Sequence, residues 1–92
     1  MSQTKISSEL KGVVRSIHKF NKDTHELIEE IDIDFISITQ LLAIVKPKDG
    51  DSLLYDFYEL DEQQLTLLNK YLEIQINLDS FYYVLVCLGI YK

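Results

Sequence analysis

The side chains able to carry chemistry are few and dispersed along the 92 residues. His18 and His25 flank a predicted turn, with no cysteine or third ligand at the spacing that a metal site requires. Cys87, the single cysteine, lies in an apolar run, where a thiol is buried and inert, and no histidine is spaced to activate it. Asp49-Gly50-Asp51 has a superficial likeness to a calcium loop but lacks the ladder of ligands that follows in one, so it reads as a polar turn. Gly12, Gly50 and Gly89 are scattered, which leaves no phosphate-cradling loop. Glu29 and Glu30 are adjacent, and adjacent strand residues point to opposite faces, so they do not converge on one substrate. No catalytic residue, metal site or cofactor is expected, and the chain reads as a non-enzyme.

What remains is an association of aromatic and acidic residues. The chain has six tyrosines and four phenylalanines but no tryptophan. Tyr55 and Tyr58 share a stretch with Asp56 and Glu59, followed closely by Asp61 and Glu62. Tyrosine among exposed acids suits a protein interface, where the ring supplies contact area and the carboxylates supply steering and partner choice. The competing explanation, alternate aromatics filling a core, is preferred for Tyr55 and Phe57, while Tyr58 joins the candidate interface. The same acids deter single-stranded RNA, whose stacking sites are accompanied by Lys or Arg.

The net charge of -6 is unevenly spread: residues 1–22 sum to +4 and residues 23–92 to -10. A field of that sign repels nucleic acid and anionic membranes and steers a basic protein inward; plain solubility is the other explanation for it. A lone cysteine forms no intrachain disulfide, Met1-Ser2-Gln3-Thr4-Lys5 lacks the apolar core of a signal peptide, and no apolar run reaches a membrane span's length. A cytoplasmic location is expected.

An apolar fraction of 47% is enough for a core, and the length fits one domain over residues 11–92, preceded by a flexible arm at residues 1–10 without periodicity. The stretch from Phe81 to Tyr91 carries no charge and is rich in aromatic and β-branched residues at its start. It is expected to be a strand that, being apolar at odd and even positions alike, needs cover on both faces or a central place in a sheet. Residues 12–33 read as a β-hairpin turning through Asn21-Lys22-Asp23-Thr24. Pairing residues whose numbers sum to 45 sets Arg15 opposite Glu30 and Lys19 opposite Glu26, with Val14 on Ile31 and His18 on Leu27 on the other face. Glu26, Glu30 and Asp32 then share the wet face.

Two segments, Ile36-Ser37-Ile38-Thr39-Gln40-Leu41 and Leu60-Asp61-Glu62-Gln63-Gln64-Leu65, each have the form of a capping box with a hydrophobic staple. Each predicts a helix start. The first helix presents Ile38, Leu41, Leu42 and Val45 on one side and stops before Pro47; the second stacks Leu65, Leu68 and Leu72. Residues 53–59 read as a third strand, and Ile31-Asp32-Ile33 aligns with Tyr55-Asp56-Phe57 as if strand, cap and helix occurred twice. Ile74, Ile76 and Leu78 alternate with polar residues as an extended lead-in or a short edge strand. The expected fold is α+β, a single domain with an antiparallel or mixed four-stranded sheet and two helices in the order β-β-α-β-α-β, both helices on one face.

The run from Arg15 to Leu27, the capped helix, and Leu54-Tyr55-Asp56-Phe57-Tyr58 resemble a group of small bacterial proteins. In size, acidity and element order the chain is also similar to immunity proteins of contact-dependent growth inhibition and other polymorphic toxin systems. Those families differ in fold and share few residues, so no functional positions transfer. The resemblance implies a cytoplasmic immunity protein, an antitoxin, that covers the active site of a toxin domain, often a basic nuclease or RNase. The candidate partner-binding residues are Glu26, Glu30, Asp32, Asp56, Tyr58, Glu59, Asp61 and Glu62, in a monomer or weak homodimer. The alternative is a structural or regulatory subunit that self-associates through a sheet edge.

Overall fold

The charge-free stretch at residues 81–91 is a strand paired on both sides, the central place that its two apolar faces call for. The structure, a computed structural model, describes residues 10–91. Its elements are β1 (Leu10–Asn21), β2 (Leu27–Asp32), α1 (Ile38–Leu42), β3 (Tyr58–Leu60), α2 (Glu62–Leu68) and β4 (Phe81–Tyr91). The four strands form one antiparallel sheet in the order β2-β1-β4-β3, giving an α+β unit with the expected succession of elements. Of the arm expected over residues 1–10, residues 1–9 lie outside the described residues, and Leu10 opens β1.

The inner face of the sheet carries Ile17, Tyr58, Leu60, Tyr83 and Leu85, which pack with Leu41, Val45, Leu65 and Leu68 from the two helical segments and with Ile33, Ile36 and Leu54 from the loops. Each such side chain stabilises the fold by roughly 1.5–3 kcal/mol relative to exposure. The helices need that support. At five and seven residues they are far below the ~12–15 residues at which an isolated helix becomes marginal.

Both capping boxes form as their sequences require. Ser37 Oγ accepts from the Gln40 amide over 3.2 Å while Gln40 Oε1 accepts from the Ser37 amide over 3.0 Å. At α2 the reciprocal distances between Asp61 and Gln64 are 2.8 and 2.9 Å. Leu65 and Leu68 are buried as expected, Leu72 is half-buried, and the chain leaves the helix before reaching it.

The hairpin register differs from the expected one. β1 and β2 pair Ile17 with Ile31, His18 with Glu30 and Lys19 with Glu29, so Arg15 does not face Glu30, Lys19 does not face Glu26, and Val14 does not face Ile31. Two causes act together. The turn is longer than a four-residue reversal: the Asn21 side chain accepts from the Asp23 and Thr24 amides, His25 takes a positive φ of 61°, and the Asn21 amide reaches the Glu26 carbonyl over 2.8 Å. Burial also decides it. Ile17 is 0% exposed in the observed register, a gain that outweighs the ~0.2–1 kcal/mol of an exposed ion pair.

The third strand is shorter than expected, because residues 53–57 form a loop and only Tyr58–Leu60 pair with β4. Its phase is inverted too. Tyr55 and Phe57, assigned to the core, are 50% and 59% exposed, whereas Tyr58 is buried. The proposed repeat fails for the same reason, since Ile31-Asp32 ends a strand while Tyr55-Asp56-Phe57 is loop. Residues 72–77 are an extended lead-in outside the ladder, held by the Tyr83 hydroxyl, which donates to the Gln75 carbonyl and accepts from the Asn77 amide.

Candidate functional site

Alternation along the strands sends a second set of side chains to the outer face, opposite the helices. One cross-strand row there runs Glu59, Val84, His18, Glu30 from β3 through β4 and β1 to β2; the next contains Tyr82, Phe20 and Leu27. Phe20 and Tyr82 stack with centroids 5.1 Å apart and planes 17° from parallel. His25 meets the Tyr82 ring edge-on at 5.8 Å, and its Nδ1 lies 3.0 Å from the Tyr82 hydroxyl. His18 continues the cluster toward Phe20 and places Nε2 3.7 Å from a Glu30 carboxylate oxygen. Further along, Ser16 and Val86 are buried, while Leu88 is exposed. The aromatic end is half-open, and Leu27 at its margin is 45% exposed. The side chains of α1 and α2 that are buried, Leu41, Leu65 and Leu68, belong to the core on the inner face.

The eight candidate residues divide. Glu30, Asp32 and Glu59 are exposed on the outer face, the first two on the β2 edge and the third on the β3 edge. Glu26 is exposed in the long turn beside β2, and Glu62 is exposed in the first turn of α2. Asp61 is engaged as the α2 cap. Tyr58 is corrected from an interface residue to a core one, 7% exposed, because β3 begins at Tyr58 and its even-numbered side chains face inward. Asp56 stays exposed but lies 3.2 Å from Lys48 Nζ.

Asp56 and Tyr58 belong to a polar knot that shapes the loop before β3. Asp51 accepts from the amides of Tyr55 and Asp56 over 2.7 and 2.9 Å and from the Tyr58 hydroxyl over 2.5 Å. The Tyr58 hydroxyl chiefly holds the Asp51 carboxyl below its ordinary pKa, against the opposing effect of burial. Burial, followed by the bond to Asp51, raises the Tyr58 phenol above the usual range. The Phe57 amide and then Lys48 lower Asp56. Arg15, on the inner side, ties the same loop to the sheet by donating from Nη2 to the Leu53 carbonyl over 2.7 Å. The carboxylates of Asp51 and Asp56 and the Tyr58 hydroxyl are all answered locally, only the Arg15 Nε being buried without a partner, and the knot acts as scaffold.

Cys87 is half-buried, and desolvation raises its thiol pKa despite the opposing pull of Arg15, which suits an inert residue. Among the described residues no group of three or more His, Cys, Asp or Glu side chains is placed to hold a metal ion. A cavity of about 190 Å³ beside Lys19, Glu29 and Glu73 is below the ~300–1,000 Å³ of ordinary small-molecule sites. No helix among the described residues is long and apolar enough to cross a membrane.

The aromatic cluster of His18, Phe20, His25 and Tyr82 was not among the expected site residues. Its signal was present in the even-numbered apolar residues of β4, which announced a second face in need of cover. No curated protein and no solved structure is similar to the chain. A family model described as a domain of unknown function, DUF7683, matches residues 14–86, from β1 through both helices into β4. The chain therefore belongs to the DUF7683 family.

Proposed function

We propose that this protein is a non-catalytic, cytoplasmic binding protein that occupies a basic protein partner, acting as the immunity protein of a toxin domain. The observation that carries the reading is the row Glu59-Val84-His18-Glu30, in which carboxylates stand at both edges of a sheet face whose centre is apolar and aromatic. Aromatic area supplies affinity, and flanking carboxylates supply steering where a nuclease expects phosphate. The -10 charge of residues 23–92 extends the same attraction over a longer range.

Self-association through a sheet edge draws less support. β2 carries Glu29, Glu30 and Asp32, which would meet like charges in a second copy, and β3 has only three residues to offer. The test is to mix the purified chain with the toxin domain encoded beside it. A tight complex weakened by salt, together with loss of toxin activity, is expected. No neighbouring toxin, or no complex with it, would overturn the reading.

A further inference from the structure

We propose that the aromatic end of the outer face is a docking site for a basic amphipathic helix of the partner protein, seated over Phe20, Tyr82 and Val84 between acidic edges. This inference rests on the binding-protein reading and names the surface and the chemistry recognised.

Glu30 and Glu59 lie on the outermost strands of the order β2-β1-β4-β3, and three inter-strand steps of about 4.8 Å separate them by roughly 14 Å. An α-helix with its side chains is about 10–12 Å across. A helix on the central strands therefore has a carboxylate along each flank, within reach of Lys or Arg on either side of its apolar stripe.

Arg15 and Lys19 alternate with the outer-face residues of β1 and belong to the inner side, where Arg15 binds the Leu53 carbonyl and Lys19 Nζ lies 4.2 Å from the centre of the Phe81 ring. The outer row is left with Glu30 and Glu59 as its acidic side chains and His18 between them. A second copy of this chain is a poor occupant. Two outer faces packed together would bring Glu30, Asp32 and Glu59 of each copy into a shared, partly desolvated contact without countercharges.

The test uses the full chain labelled with ¹⁵N and a synthetic helix-forming peptide of about 18 residues that bears a leucine stripe flanked on both sides by lysines. A counterpart carries glutamates in place of those lysines. Amide shift changes are expected to concentrate at Ser16–Phe20, Leu27–Glu30 and Tyr82–Val86. The exposed double substitution Glu30→Lys, Glu59→Lys should weaken the lysine peptide at least about tenfold at low salt. The control Asp49→Lys, Glu73→Lys, at two exposed positions outside the candidate surface, should leave it within about twofold. The proposal is overturned by absence of binding, by shifts centred on α1 and α2, by equal binding of the glutamate peptide, or by a dimeric free protein whose outer-face amides are already protected. The peptide contains no toxin sequence. Its failure removes this docking site alone, whereas success here without a toxin complex removes only the immunity reading.

Discussion

Tyr58 donates its phenolic hydrogen to Asp51 over 2.5 Å, joining the buried start of β3 to the turn at Gly50. The same hydroxyl accepts the Lys48 amide over 2.9 Å, so one oxygen closes the loop at both ends. Tyr58→Phe keeps the ring in the core but removes one of the two donors to Asp51 Oδ2 and leaves the Lys48 amide without its acceptor. The circular dichroism spectrum should be unchanged and the Tm lowered by several degrees, as measured by thermal melting.

The same contact sets the pH dependence of stability. Asp51 and Asp56 have folded-state pKa values below their ordinary ones. The stability they contribute is present above the unfolded carboxylate pKa of about 3.9 and is lost as pH falls below it toward the folded values. Tyr58 is shifted the other way. Its contribution is complete below the unfolded phenol pKa of about 10 and declines as pH rises toward the folded value. Urea titrations from pH 2 to 11 should show that Asp51→Asn flattens the acid limb and Tyr58→Phe the alkaline limb. Unchanged limbs would mean that the knot does not shape the pH profile.

Local rules made much of this fold legible, and long-range competition decided the rest. Ser37 with Gln40 and Asp61 with Gln64 announce both helix starts because a capping box lies within four residues and asks nothing of the rest of the chain. The charge-free run of β4 identified a central strand for a similar reason. Opposite-charge pairing predicts a hairpin register that the molecule does not adopt, because the turn around Asn21 and His25 and the burial of Ile17 outweigh it. The inversion of Tyr55, Phe57 and Tyr58 has its origin in Asp51, whose carboxylate gathers two amides and a hydroxyl from residues 55–58 and so delays the strand. Periodicity does not register such a side-chain knot. Of the candidate residues, Glu30, Asp32 and Glu59, chosen for their charge, lie exposed on one face of the sheet. The aromatic cluster between the edges was missed because His18, Phe20 and Tyr82 become neighbours only in the observed pairing.

Ser37→Ala and Asp61→Ala should each destabilise the protein by about 1 kcal/mol, within the usual range of about 0.5–2 kcal/mol for caps. The two sites head different helices, so the double variant should be close to additive in denaturant unfolding. A markedly larger loss in either would show that the cap also holds the adjoining loop.

Leu85 is fully buried and lies opposite Ile17 on one side and Tyr58 on the other. Leu85→Ala should cost about 2–5 kcal/mol, a large part of the total stability expected for a domain of this size. Leu88→Ala, at an exposed outer-face position, should change unfolding by less than about 1 kcal/mol. Equal losses at the two sites would contradict the assignment of the faces.

The measurement that bears most directly on the proposed function is calorimetric titration of the partner proposed for it, a basic toxin domain encoded beside the chain, into the wild-type chain and into the Glu30→Lys, Glu59→Lys variant, at low and raised ionic strength. The wild type should bind with an affinity that falls with salt, and the folded variant should bind at least about tenfold more weakly. Absence of a complex, or equal affinity of the two proteins, would contradict binding through the acid-edged face of the sheet.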